Sequence, residues 1–386
     1  MTRIQASTLS SLLGIGASFE GEGAEYVAYP NLRDVRWLFP AGQRTLLRSG
    51  IEELFKPESL KGRVFKMLVS RGAVPGGRVF LEKEGLSRLE EELARAFGGT
   101  KPGVAFYVGV PGAYRKVTAL AMGPGGETLA FAKMATAPLA VSDVEAEQRT
   151  LSRLSEAPGL RGRVPGVLRY LDWQGGKILL ITSGPKRPGP TELSSAHLEF
   201  LKDLFLPFAE WGAFDQSPMF DRMSRKLSAL RPARRALPDG AHATLGRSLE
   251  RLHGGLGSVR LPLSLTHRDF APWNTRLGPD GLFVFDWDRA EYATPLYDAF
   301  HFRAIQTVLL NRRGPAPERE LLRGLLEDVW PEGRDHLSRL YLAYLLDMCL
   351  VYGEARAVAP EAGDDRVLGW FVDRIGDFLE HGSPLE

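Results

Sequence analysis

The stretch from Leu265 to Asp298, LTHRDFAPWNTRLGPDGLFVFDWDRAEYATPLYD, constrains this chain more than any other. It places Asp269, Asn274 and Asp286, side chains able to bind a metal or accept a proton, on two loops that bracket a short hairpin. The apolar run Leu282 to Phe285 reads as a buried strand that delivers Asp286 at its end. Leu263 to Thr266 does the same for His267 and Asp269. Gly278-Pro279-Asp280-Gly281 supplies the turn between them. An Asp, an Asn five residues on and an Asp twelve residues further give one carboxylate for an acceptor hydroxyl and two hard oxygens for magnesium. Phosphoryl transfer requires such a set.

The order His267-Arg268-Asp269, Asn274, Asp286-Trp287, Pro295, Asp298 resembles the catalytic and metal loops of the aminoglycoside phosphotransferase and choline kinase-like superfamily, relatives of the protein kinases. That resemblance implies a two-lobed, protein kinase-like α+β fold with a small β-rich N-lobe and a large helical C-lobe. It implies ATP and Mg2+ as cofactors, Asp269 as the catalytic residue that orients the acceptor hydroxyl and takes its proton, and Asn274 and Asp286 as metal ligands. Taken singly, each of these three also suits a loop residue that bonds the turn backbone. His267 is expected to pack and hydrogen-bond under the loop. Only eight residues separate Asp286 from Pro295, too few for an activation segment, so Arg268 is expected to pair with a local carboxylate. Asp298, at a helix start, is expected to anchor the loop.

Upstream, Val104 to Val110, Arg115 to Met122 and Leu129 to Ala135 read as three strands, the last two joined by a turn at Gly123 to Gly126. Gly109-Val110-Pro111-Gly112 lets the backbone come close to a phosphate, and alone it is also an ordinary hairpin turn. Lys133 stands between apolar neighbours. The pattern allows it to point to solvent, whereas the resemblance makes it the lysine on the nucleotide phosphates. A helix is expected from near Ser142. Ser142 and Glu145 have capping-box spacing, which leaves Glu147 as the expected partner of Lys133, with Glu145 the alternative. Lys177 to Thr182 reads as the strand into a hinge. Ser183 to Pro190 reads as the linker, with groups near Thr182 and Ser183 expected at the adenine by analogy.

Beyond the linker, Ser195 to Trp211, Ala243 to Leu252, Pro295 to Leu310, Pro317 to Val329, Arg334 to Tyr352 and Asp365 to Leu379 carry apolar residues at helical spacing. The first hundred residues read as strands at Ala24 to Tyr29, Val35 to Phe39 and Arg78 to Glu82, and as helices at Ile51 to Phe55, Ser59 to Arg71 and around Leu86 to Phe97. The expected organisation is residues 1–100 as an N-terminal α/β extension, 101–184 as the N-lobe and 185–386 as the C-lobe. The basic interval from Arg44 to Arg78 reads as a solvated helix face or as a contact for an anionic partner.

A chain of 386 residues with 44% hydrophobic and 25% charged residues suits a globular enzyme. One cysteine excludes a disulfide framework, and Cys349 falls in an apolar helical run. A net charge of +2 gives no reason to invoke nucleic acid. No run approaches a membrane span and no leader is evident, which makes the cytoplasm the expected location. The reading is therefore an ATP- and magnesium-dependent phosphotransferase acting on a small-molecule hydroxyl, namely an amino alcohol, a sugar or an antibiotic-like alcohol. A nucleotide-binding pseudokinase, a protein kinase and a nucleotidyl transferase stand as alternatives.

Overall fold

The computed structural model describes residues 5–57, 60–112, 114–233, 237–310, 318–358 and 365–385. The helix starts expected at Ser59 and Pro317 lie outside the described residues. Two compact units form, one from residues 1–152 with 165–183 and the other from 153–164 with 184–386. Residue 100 lies inside the first unit, and the third and last crossing falls between Ser183 and Gly184.

The first unit opens with α1 (Ala6–Leu13), β1 (Ala17–Ser18), β2 (Ala24–Asn31) and β3 (Asp34–Pro40). Next come α2 (Arg44–Leu54), α3 (Leu60–Ser70), β4 (Gly77–Leu81) and α4 (Lys83–Ala94). The strands β5 (Gly103–Val108), β6 (Val117–Met122) and β7 (Thr128–Ala135) follow, then α5 (Pro138–Leu154), β8 (Val167–Trp173) and β9 (Gly176–Thr182). All nine strands share one sheet in the order β1-β4-β2-β3-β5-β6-β7-β9-β8. The first hundred residues join it through β3 on β5, where Trp37 faces Tyr107 and Leu38 faces Phe106.

Strand alternation explains why both faces of this sheet are apolar. Val104, Phe106 and Val108 of β5 pack with Leu9 and Leu13 of α1 and Leu86, Leu89 and Leu93 of α4. The intervening Ala105 packs with Leu46 and Ile51 of α2, together with Leu120 and Met122 of β6. A strand covered on both sides loses the polar alternation of a half-exposed one, so the sequence GVAFYV is apolar nearly throughout.

The second unit contains α6 (Ser195–Phe205), β10 (Glu210–Ala213), α7 (Pro218–Leu230), α8 (Ala241–Leu256), β11 (Arg260–Thr266), β12 (Thr275–Gly278) and β13 (Gly281–Val284). After β14 (Glu291–Ala293) come α9 (Tyr297–Leu310), α10 (Glu318–Val329), α11 (Leu337–Val358) and α12 (Asp365–His381). The helix expected over Ser195 to Trp211 ends at Phe205. Pro207, lacking an N–H, sits in a 3-10 turn at Leu206–Phe208, and Trp211 lies in β10. Another expectation changes at β11, which is central in a three-stranded sheet between β10 and β14 rather than paired with the strand that precedes Asp286. The turn at Gly278 to Gly281 joins β12 to β13.

Cys349 is fully buried in α11, and burial pushes its thiol up to about 12, which makes it an inert core residue. Among the described residues, no helix is long and apolar enough to cross a membrane.

Candidate active site

The loop from His267 to Asn274 hangs from β11, whose residues after Arg260 are all buried. At its end the Asp298 carboxylate, in the first turn of α9, clamps two consecutive amides. Oδ2 accepts from the His267 N–H at 2.7 Å and Oδ1 from the Arg268 N–H at 2.8 Å. Burial pushes the Asp298 carboxyl up from its ordinary value against the opposing pull of His267 and these two bonds. The expected loop anchor is thus present as bonded geometry.

His267 is fully buried. Its Nδ1 accepts the Asp269 N–H at 3.2 Å, so the proton sits on Nε2 and donates to the Phe285 carbonyl at 2.9 Å. Trp287, also fully buried, packs on the ring at 4.5 Å. With both nitrogens engaged, His267 holds the loop, in line with the sequence.

Arg268 adopts a left-handed backbone with φ of 63°, which an L side chain takes only when its surroundings impose it. Here the guanidinium is tied on both sides, Nη1 to Glu291 Oε2 at 2.6 Å and Nη2 to Asp347 Oδ2 at 2.5 Å. Asp347 also accepts Tyr297 Oη–H at 2.7 Å and Arg222 Nε–H at 3.3 Å. Burial alone would raise its carboxyl, but Arg268 and Arg222 outweigh that and hold it down at about 2. The expected carboxylate partner is therefore real, and one of the two comes from the remote helix α11.

Asp269 keeps a half-buried carboxylate, 32% exposed. Burial acts to raise its pKa, and a stronger opposing pull from His301, Arg289 and His267 leaves it below the usual carboxylate range. The Asn274 amide donates from Nδ2 to the Asp269 carbonyl at 2.9 Å and to Oδ2 at 3.1 Å. Asn274 ends a 3-10 turn at Pro272–Asn274, and its own carbonyl accepts the Phe285 N–H at 3.1 Å. Since Thr275 faces Val284 in the β12–β13 hairpin and Phe285 bonds back to Asn274, Asp286 follows one residue later at the same open end as Asn274. Asp286 has φ of 73°, the second strained non-glycine at this site.

Among the described residues, no group of three or more His, Cys, Asp or Glu side chains is arranged to hold a metal. A cation here would have Asn274 and Asp286 as its protein ligands, with the rest coming from phosphates and water, as magnesium usually does. The donor set fits, because Asn274 spends its NH2 group on Asp269 and leaves its side-chain oxygen as the acceptor.

In the first unit, Lys133 Nζ lies 2.7 Å from Glu147 Oε1 and 2.6 Å from Oε2. The lysine side chain is only 12% exposed and that of Glu147 fully buried, so Lys133 does not point to solvent. Glu145 instead accepts Tyr170 Oη–H at 3.1 Å. The capping box expected at Ser142 is absent because α5 begins at Pro138, with the Val141 N–H bonding back to Ala137.

Gly109 donates its N–H to the Lys116 carbonyl at 2.9 Å, and a Cβ there would sit 2.7 Å from that same oxygen. Cross-strand approach alone therefore explains this glycine, whereas Gly112 has nothing within 4 Å. Ser183 directly follows β9.

Sequence reasoning missed four residues. His301 Nε2 lies 3.4 Å from Asp269 Oδ1, and Tyr344 Oη lies 3.3 Å from His301 Nδ1. Arg222 and Asp347 complete the ion cluster behind the loop. The available signal was polarity in apolar company, a His in AFHF and an Asp in YLLDMC.

Comparison with known proteins agrees with this geometry. No curated protein matches the chain in sequence. The solved structure of a thermostable mutant of aminoglycoside phosphotransferase APH(4)-Ia, in its apo form, is 16% identical, covers 76% of this chain and 99% of its own, and has a TM-score of 0.52. A choline/ethanolamine kinase family protein from Mesorhizobium loti is 15% identical, covers 77% of this chain and 95% of its own, and has a TM-score of 0.51. At such identity these two establish the kinase-like fold. Residues 126–336 match the phosphotransferase enzyme family, a span that runs from the Gly123–Gly126 turn through Lys133 and Glu147 to the whole loop from Leu265 to Asp298. With more than half of its length inside that match, the chain belongs to the phosphotransferase enzyme family and is a phosphotransferase of kinase-like fold.

Proposed function

We propose that this enzyme moves the γ-phosphoryl group of ATP to a hydroxyl of a small molecule, with magnesium as the metal. The observation that carries the reading is Asp269, a half-buried carboxylate held below the usual range on a loop whose backbone is clamped by Asp298. The acceptor oxygen forms a bond to the γ-phosphorus as the bond to the departing ADP oxygen breaks, and the hydroxyl proton passes to Asp269. Magnesium, when bound by Asn274 and Asp286, would offset phosphate charge.

Lys133, fixed by Glu147, offers a point charge suited to nucleotide phosphates. Gly109 and Gly112 lie on the turn expected to approach them, and Ser183 follows the strand expected beside adenine. In this reading residues 101–184 serve as the nucleotide-holding lobe, 185–386 as the catalytic lobe, and 1–100 as an extension of the first lobe's sheet. The short stretch after Asp286 favours a small acceptor over a protein. Three of its residues form β14, which pairs with β11 and leaves no activation segment.

ADP release from MgATP, measured across amino alcohols, sugars, aminoglycosides and nucleosides, tests the reading. One acceptor raises it above the basal rate, and Asp269→Asn then cuts turnover about 10²- to 10⁴-fold. Turnover that survives Asp269→Asn, or pyrophosphate as the product, sinks the mechanism.

A further inference from the structure

We propose that His301, locked in one tautomer by Tyr344, is a positioning residue that fixes the carboxylate of Asp269 through its Nε2–H. The inference rests on the role given to Asp269 above and adds a contact on the opposite side of that group from Asn274.

The geometry starts with α9. Asp298 and His301 lie three residues apart on that helix and therefore on one face. Asp298 grips the backbone of the catalytic loop, and His301 reaches its working side chain, with Nε2 at 3.4 Å from Asp269 Oδ1. One helix thereby sets both the path of the loop and the aim of its carboxylate. Both His301 and Tyr344 are fully buried, so neither has water as an alternative partner.

The tautomer follows from the neighbours. Burial pushes the Tyr344 phenol well above its ordinary value, so the hydroxyl keeps its proton and can donate to His301 Nδ1 at 3.3 Å. The imidazole proton then belongs on Nε2, facing the carboxylate. The opposite tautomer would aim a lone pair at an anion.

Asp269 Oδ2 already accepts from Asn274, and His301 Nε2, a buried nitrogen that makes no hydrogen bond among the described residues, is the donor placed to engage Oδ1 and stop the carboxylate from rotating about its last bond. Each oxygen keeps a lone pair for the incoming hydroxyl. A separation of 3.4 Å is long for a charge-assisted bond, and catalytic hydrogen bonds in empty sites commonly shorten once substrate is held.

The test is basal hydrolysis of MgATP by the full chain, with water as the acceptor and ADP release as the readout. His301→Leu lowers kcat about 10- to 100-fold while KM for ATP stays within about twofold. His301→Gln, which returns an N–H near the position of Nε2, recovers most of that loss. Tyr344→Phe, which frees the tautomer and leaves the imidazole in place, gives a smaller fall in kcat and keeps the question open to test where His301→Leu fails to fold. In an Asp269→Asn background, His301→Leu causes no further loss.

The proposal is overturned by wild-type kcat in folded His301→Leu, by His301→Gln performing no better than leucine, or by equal loss in both backgrounds. Basal turnover that persists in Asp269→Asn alone overturns the role of Asp269 itself, and this inference with it. Loss in Asp269→Asn with none in His301→Leu removes only the positioning role.

Discussion

Asp347 sits fully buried between two arginines, and the cost of disturbing it follows from what remains. Asp347→Leu leaves Arg268 and Arg222 sharing only Glu291, which is 46% exposed, and the expected loss is about 3–5 kcal/mol in urea unfolding. The same residue sets an acid limit. Its folded pKa, about 2, lies below the ordinary 3.8, so its contribution is complete above about pH 4 and disappears as pH falls toward 2. Asp347→Asn flattens that part of the stability profile. Lys133 and Glu147 allow structure to be separated from chemistry. Lys133→Met removes the cation beside a buried carboxylate and lowers the thermal midpoint, whereas the double variant Lys133→Met with Glu147→Leu regains stability without regaining turnover. The placement of Asp269, Asn274 and Asp286 around one hairpin, and of Glu147 beside Lys133, was legible because local spacing carries it. His301, Tyr344 and Asp347 were not, because they reach the loop from 30 or more residues away and each hides in an apolar helical run.

Elements were legible where a single period rules them and misread where tertiary packing intrudes. The apolar runs over β5 to β7 form strands as expected, while α7 escaped notice because Arg222 occupies its buried face and breaks the apolar stripe. The helix that carries Glu147 starts a turn earlier than Ser142 suggests, because Pro138 suits a first turn and a polar residue inside a helix can mimic a cap. Sheet register makes its own prediction. A Cβ on Gly176, at the β8–β9 turn, would lie 2.0 Å from the Ala135 carbonyl, backbone that cannot move without opening β7 against β9. Gly176→Ala should cost about 1–3 kcal/mol in equilibrium unfolding. Gly212→Ala in β10, where nothing lies within 4 Å, should fall within about 0.5 kcal/mol of wild type.

At the scale of the molecule, the chain visits its two units in alternation, and residues 153–164 belong to the second although the first closes only at Ser183. Arg163 shows why that short visit matters. Its guanidinium bonds Asp203 at 2.5 Å and stacks over Phe200 at 5.1 Å, and its carbonyl accepts the Val284 N–H at 2.9 Å, beside the strand that delivers Asp286. A fragment of residues 184–386 should therefore melt broadly by circular dichroism, and one of residues 153–386 should regain a cooperative transition. A sharp transition in the shorter fragment would contradict the assignment. A division of this kind leaves no trace in local spacing, which is why the sequence suggested plain consecutive segments. The same interleaving orders events on the ribosome. The first unit has all its residues once Ser183 has emerged, but Arg163 must wait 40 residues for Asp203 and 119 for Leu282. During synthesis a finished sheet thus carries a loose strap, with one arginine kept ready for partners not yet made.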